Sequence, residues 1–142
     1  MSFISTIKYR NGNSMKSLKS LKSEVELKNF LEEYNWDDGF TIPAKILENE
    51  YCTLQIALRV FWLADGYSYL LERENASNDT KWITFMNNLY NNILEGRYYS
   101  GKTSFDPELN KVQLYKFKKI LSENELIFIT KIEGEGDKSN VK

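Results

Sequence analysis

Residues Tyr34 to Pro43 read "YNWDDGFTIP". Three aromatic residues, Tyr34, Trp36 and Phe40, surround two adjacent carboxylates and a glycine, and Pro43 closes the run. The stretch reads as an active-site loop, a binding lip or a stiff corner between two helices. Its flanks favour the corner. Upstream, Ser23-Glu24-Val25-Glu26 has the S-x-x-E spacing of a capping box, in which the Ser hydroxyl and the Glu carboxylate satisfy the free N–H groups of a helix start. Leu27, Phe30, Leu31 and Tyr34 follow at i, i+3, i+4 and i+7, one face of a helix that ends where the quoted stretch begins. Downstream, a short helix is expected over 42–48, with Thr41 as N-cap, Pro43 in the first turn and Ile42, Ile46 and Leu47 facing inward.

Beyond the corner, "ENEYC" (48–52) turns the chain and Thr53 is placed to cap a third helix over 54–72, "LQIALRVFWLADGYSYLLE". It is apolar on nearly every side, as a central helix is. Gly66 within it either admits another backbone closely or marks a break. "NASND" (75–79) is a polar loop, and Asn78 or Asp79 is read as the cap of a fourth helix. There Trp82, Phe85, Met86, Leu89, Tyr90 and Ile93 give the cleanest helical period in the chain, and Gly96 stops it at the C′ position. Residues 98–109 read as loop and 112–121 as a shorter basic helix. Residues 3–9, "FISTIKY", and 125–133, "ELIFITKIE", are β-branched enough to pair as two short strands. Residues 134–142 read as a frayed tail. The expectation is a single mostly α domain over 1–142: four to five helices in a compact bundle, with a small β pair from the two termini as an optional addition.

Composition narrows the chemistry. The 142 residues carry a net charge of −1 and 14% aromatic side chains. A nucleic-acid binder normally shows a basic surplus, which is missing here. Lys, Glu or Asp interrupts every apolar run before it reaches membrane-spanning length. The start, "MSFISTIKYR", lacks the basic-then-apolar pattern of a signal peptide, and one cysteine, Cys52, fits a reducing cytoplasm. The chain contains no histidine. Histidine is the commonest metal ligand and general base, so no nitrogen/sulfur metal site, cofactor or His-dependent nucleophile is expected. Catalysis would have to rest on carboxylates, Lys or Tyr.

Each candidate site has a plainer alternative. Asp37 and Asp38 could act as acid and base or hold a hard cation. Neighbouring residues point in different directions, however, and the ligand spacing of a calcium loop is absent. The plainer reading has one Asp making an Asx turn, Gly39 supplying a positive φ, and Trp36 and Phe40 plugging the corner into the core. Asp65 with Tyr67 and Tyr69 could be an acid/base pair, but tyrosines in a wide helical stripe more often pack. "RYYSGK" (97–102) lacks the glycines of a phosphate loop, and "KFKK" (116–119) reads as a solvated helix face.

Charge is unevenly spread. Glu24 to Glu74 holds eleven acids against four bases, a surplus of −7, whereas Arg97 to Lys119 holds six bases against two acids. An acidic face of this kind can steer a basic protein partner. Its candidate binding residues are Asp37, Asp38, Glu48, Glu50, Asp65, Glu72 and Glu74, with Trp36, Gly39, Phe40 and Pro43 as the structural corner.

The run N-W-D-D-G-F, then I-P, an apolar-polar helix, a Cys turn, a further helix and A-D-G resembles the bacterial domain of unknown function family 4274. The likeness extends through "WITFMNNLYNNILEGRYYSGKTSFDPELNKVQLYKFKKI", so that it covers about residues 18–132. The resemblance implies a compact helical fold and brings no established activity or catalytic residues to Asp37 or Asp38. Small acidic bacterial proteins of this sort resemble immunity proteins for polymorphic toxins, an analogy only. The functional expectation is a non-catalytic, cytoplasmic module that binds a basic toxin domain, with no membrane or nucleic-acid partner. The alternatives are a scaffold without a toxin partner and a carboxylate-dependent enzyme using Asp37, Asp38 or Asp65.

Overall fold

The computed structural model describes residues 18–72 and 80–135. These are mostly helical: α1 (Glu24–Glu33), α2 (Thr41–Leu47), α3 (Leu54–Leu63), α4 (Gly66–Glu72), α5 (Thr80–Leu94) and α6 (Lys111–Ile120), with 3-10 turns at Trp36–Asp38 and Asn124–Phe128. Residues 18–20 are also helical. The helix count therefore exceeds the expected four to five. The chain divides into two compact units, residues 1–52 and 53–142.

In the first unit, α1 starts at Ser23, whose hydroxyl accepts the Glu26 N–H at 3.1 Å. Only this half of the expected capping box forms, because the Glu26 carboxylate reaches one residue further back and accepts the Lys22 N–H at 2.9 Å. Leu27 and Leu31 are the buried face of α1. For α2 the N-cap position falls to Phe40, without a side-chain cap, and Thr41 is the first helical residue. Pro43 then lies in the first turn, where its missing N–H is no loss. Pro43 and Ile46 are buried, while Ile42 and Leu47 are only half-buried. Asn49 closes the unit: its amide donates to the Leu21 carbonyl at 3.2 Å and its side-chain oxygen accepts the Tyr51 N–H at 2.8 Å.

The second unit is built on α3, which packs against α4 and α5. Thr53 caps α3 as expected, its hydroxyl accepting the Ile56 N–H at 3.3 Å. The expected long helix over 54–72 is broken at Ala64–Asp65. Asp65 takes a left-handed φ of 73° and its carboxylate accepts the Ser68 N–H at 3.2 Å, starting α4 afresh. Asp tolerates this conformation better than most residues. Gly66 opens α4 just after this break and is the site of close approach, since a Cβ there would lie 2.4 Å from the Phe61 ring. Met86, Leu89 and Ile93 form the buried stripe of α5, and Gly96 ends that helix with a φ of +74°. The positions proposed as its cap, Asn78 and Asp79, lie outside the described residues.

Aromatic rings carry much of this core. Phe61 meets Trp62, Tyr69 and Phe128, and Tyr90 stacks on Phe128 at 5.2 Å. The indole N–H of Trp62 donates to the Phe128 carbonyl at 2.9 Å, and that of Trp82 to the Ala64 carbonyl at 2.8 Å. Both ring bodies pack while both polar tips find acceptors, as half-buried tryptophans favour. The buried carboxylate of Glu125 accepts the Tyr90 hydroxyl and the Ser122 N–H, tying the second 3-10 turn to α5.

No β pair from the two termini is found among the described residues. Residues 3–9 lie outside the described residues, and 124–128 coil into the 3-10 turn. Ile132 pairs instead with Phe105 in an isolated antiparallel bridge. β-Branched composition did not decide here, because Phe128 is drawn into the aromatic core by a turn a strand could not make. The chain stays anchored through Glu135, whose N–H donates to the Lys102 carbonyl at 2.9 Å. The basic helix begins one residue early, at Lys111, behind an Asn110–Gln113 capping box with both hydrogen bonds present.

Candidate functional site

The quoted stretch folds as a corner in the first unit. Asn35, not either Asp, makes the Asx turn: its side-chain oxygen accepts the Asp37 N–H at 3.0 Å. Asn35 sits at the N-cap of a one-turn 3-10 helix, which places its short side chain within reach of the second N–H along. Gly39 then turns the chain out at φ 95°, ψ −165°, a region essentially reserved for glycine. The Tyr34 hydroxyl spans the turn and donates to the Gly39 carbonyl at 2.6 Å. Burial first, and the Asp38 carboxylate second, push this hydroxyl from its ordinary 10.0 up to about 12. It therefore remains a protonated donor across the physiological range.

Three rings line this corner. Phe30 stacks with Tyr34 at 6.3 Å, and Trp36 meets Tyr34 edge-on at 5.2 Å. The expected plug is shallower than anticipated: Trp36 and Phe40 are half-buried. Trp36 opens the 3-10 turn while Phe40 follows Gly39 as the residue ahead of α2, so the two rings are carried by different local elements. The Trp36 indole N–H is buried and has no hydrogen-bond partner among the described residues.

The same unit carries exposed carboxylates, of which Asp37 and Asp38 follow Trp36 directly in the turn. Glu26, Glu32, Glu33, Asp37, Asp38, Glu48 and Glu50 are all exposed in this unit. In the second unit Asp65 and Glu72 are exposed, and Glu74 lies outside the described residues. Asp65 does not join Tyr67 and Tyr69 in an acid/base cluster. The Tyr69 hydroxyl donates to Asn87 and the Tyr67 ring packs edge-on to Phe117 at 5.2 Å. No group of three or more His, Cys, Asp or Glu side chains that could hold a metal ion occurs among the described residues. Cys52 is buried, and burial, reinforced by the Glu24 charge, pushes its thiol from 9.0 up to about 12. A thiol so protonated is a poor nucleophile. No helix of the described residues is long and apolar enough to cross a membrane.

The profile of the family described as Domain of unknown function (DUF4274) matches residues 22–94, just over half of the chain. The chain belongs to this family. The match spans the corner, the Cys52 turn and α3 to α5, and ends before the loop and basic helix that the resemblance had been expected to include. No curated protein and no solved structure matches the chain. The part of this DUF4274 site not singled out from the sequence is the hydrogen-bonded frame, Tyr34 and Asn35. Asn immediately before an aromatic and two acids is an Asx-turn signal, because its side-chain oxygen reaches the N–H two residues on.

Proposed function

We propose that this chain is a non-catalytic protein-binding module that neutralises a basic toxin domain by direct contact in the cytoplasm. One observation carries the reading: the half-exposed rings of Phe30, Tyr34 and Trp36 stand together on a rigid corner whose neighbouring carboxylates are exposed. Protein interfaces use aromatic anchors at the centre, where truncation costs most, and opposed charge at the rim to speed encounter. The corner supplies both, and its clasp by Tyr34 and Gly39 keeps the rings ordered before a partner arrives, which lowers the entropic cost of binding. The unmet Trp36 N–H adds a donor that a partner carbonyl at the corner would satisfy. The carboxylate-enzyme alternative draws no support from Asp37, Asp38 or Asp65, each of which stands in solvent rather than in a shielded site.

The test is capture from the native host followed by binding kinetics. The captured partner is expected to be basic. Its association is expected to slow as salt rises, because screening shortens the reach of the acidic surface. Glu48→Lys with Glu50→Lys should lower the association rate by roughly tenfold with little effect on dissociation. Trp36→Ala should do the reverse and speed dissociation. A partner that is neutral or acidic, binding at a rate indifferent to salt, would overturn the electrostatic argument.

A further inference from the structure

Six large hydrophobic side chains are exposed among the described residues, and three of them, Val112 (77%), Tyr115 (63%) and Ile120 (50%), belong to the ten residues of α6. Single exposed apolar residues are ordinary, whereas several on one helix make a patch. Positions 112, 115, 116, 119 and 120 share one helical face by their spacing. That face therefore carries Val112, Tyr115 and Ile120 interleaved with Lys116 and Lys119, and the Lys119 ammonium sits 5.0 Å from the Tyr115 ring centre. The opposite side holds α6 to its unit through Phe117, which is fully buried and meets Trp62 and Tyr67. Four lysines and no acids lie on the helix.

The chain contains the matching surface. α1 is also ten residues long, "EVELKNFLEE", with four glutamates against one lysine. Its outward face presents Val25 (53% exposed) with Glu26, Asn29, Glu32 and Glu33, all exposed. We propose that the lysine-and-apolar face of α6 docks on the acidic outer face of α1 in a second copy of this chain. Equal length lets one helix lie along the other for its whole run, about 15 Å at the α-helical rise. Opposed charge sets the pairing and excludes α6 on α6 or α1 on α1. The apolar side chains, Val112, Tyr115 and Ile120 on one helix and Val25 on the other, are the part that leaves water. A nucleic acid would meet the lysines but not Val112 or Ile120. An anionic bilayer would meet both, but the acidic outer face of α1 would gain nothing from it. Two short helices bury less than the roughly 1,000 Å² of a stable interface, so the association is weak and concentration-dependent. It requires no other protein and stands independently of the toxin-binding reading.

Sedimentation velocity on the purified full-length protein, over rising concentration in low salt, tests this directly. The weight-average mass should rise with concentration and return to that of the monomer at about 0.5 M salt, where charges are screened within a few ångströms. Lys116→Glu/Lys119→Glu and Glu32→Lys/Glu33→Lys should each weaken self-association by roughly tenfold or more. An equimolar mixture of the two variants should restore it, because each reversed helix then meets its complement. Circular dichroism melting confirms that each variant is folded. A monomer at every concentration in low salt would overturn the proposal. So would association that survives both reversals, a mixture that fails to recover, or a wild-type protein that remains monomeric yet binds vesicles rich in phosphatidylserine.

Discussion

Gly66→Ala is expected to be the most informative single change in the fold. The added Cβ would lie 2.4 Å from Phe61 Cδ2 and from Cε2, and 2.8 Å from the Phe61 carbonyl oxygen. Carbon atoms in contact normally sit about 3.5–4.0 Å apart, so the shortfall at the ring exceeds an ångström. The ring has no room to rotate away. It is fully buried and bounded by Trp62 at 5.9 Å, Tyr69 at 5.8 Å and Phe128 at 4.6 Å between ring centres. The backbone oxygen cannot yield without moving the end of α3. Relief must therefore come from sliding α4 outward, which loosens the buried Tyr69 and Leu70. Overpacking of this severity costs about 3 kcal/mol, and the better helix propensity of alanine returns at most about 1 kcal/mol. The net loss of about 2 kcal/mol corresponds to a melting temperature lower by roughly 6–10 °C for a chain of this size. Thermal melts by far-ultraviolet circular dichroism, with urea unfolding as a second measure, give the value. A double-mutant cycle isolates the cause: Phe61→Leu should cost less in the Gly66→Ala background than alone, since the smaller side chain makes room for the methyl group. A Gly66→Ala protein that melts at the wild-type temperature, or a cycle showing no coupling, would refute the argument from close approach.

Gly39→Ala meets no atom within 4 Å, so its cost is conformational alone, about 1–3 kcal/mol for a Cβ at φ 95° and ψ −165°; a melt matching wild type would show that the corner does not need this geometry. Glu125→Ala removes the carboxylate that accepts the Tyr90 hydroxyl and the Ser122 N–H and should cost about 1–3 kcal/mol, with Glu125→Gln milder because an acceptor remains; equal losses in urea unfolding would contradict the hydrogen-bond account. Alkaline stability follows from the two raised groups. Cys52 and Tyr34 are both about 12 in the folded chain against ordinary values of 9.0 and 10.0, so the unfolded chain releases these protons first. Their contribution is complete below about pH 9 and lost as pH rises through 12. Cys52→Ala should flatten the pH 9–10 part of that decline, and native Cys52 should resist thiol reagents at pH 8 until the protein is unfolded.

How far the sequence could be read depended on how local the deciding interaction was. Thr53 at the start of α3, the apolar period of α5, and Gly39 and Gly96 at positive φ were all legible, because each rests on atoms within a few residues along the chain. Sequence alone likewise showed a chain with no histidine and a single cysteine, and only the structure buried that thiol. The corner was legible as a corner, but not which residue would hold it. Asn35, Asp37 and Asp38 are all competent for an Asx turn, and only the 3-10 geometry put the Asn35 oxygen on the Asp37 N–H. The break between α3 and α4 was ambiguous because a glycine serves equally for close packing and for termination, and here Asp65 ends one helix while Gly66 admits Phe61. The start of the stretch read as a strand, 125–128, folds instead as a 3-10 turn because strand composition is a statement about neighbours. Phe128 found its neighbours in Phe61 and Tyr90, and Glu125 its partner in Tyr90, all distant in sequence. The lysines of "KFKK" were legible as solvated, but Phe117 among them is fully buried: the apolar residues of α6 occupy both sides of the helix, and only packing of Phe117 against Trp62 and Tyr67 decided which side was left to water.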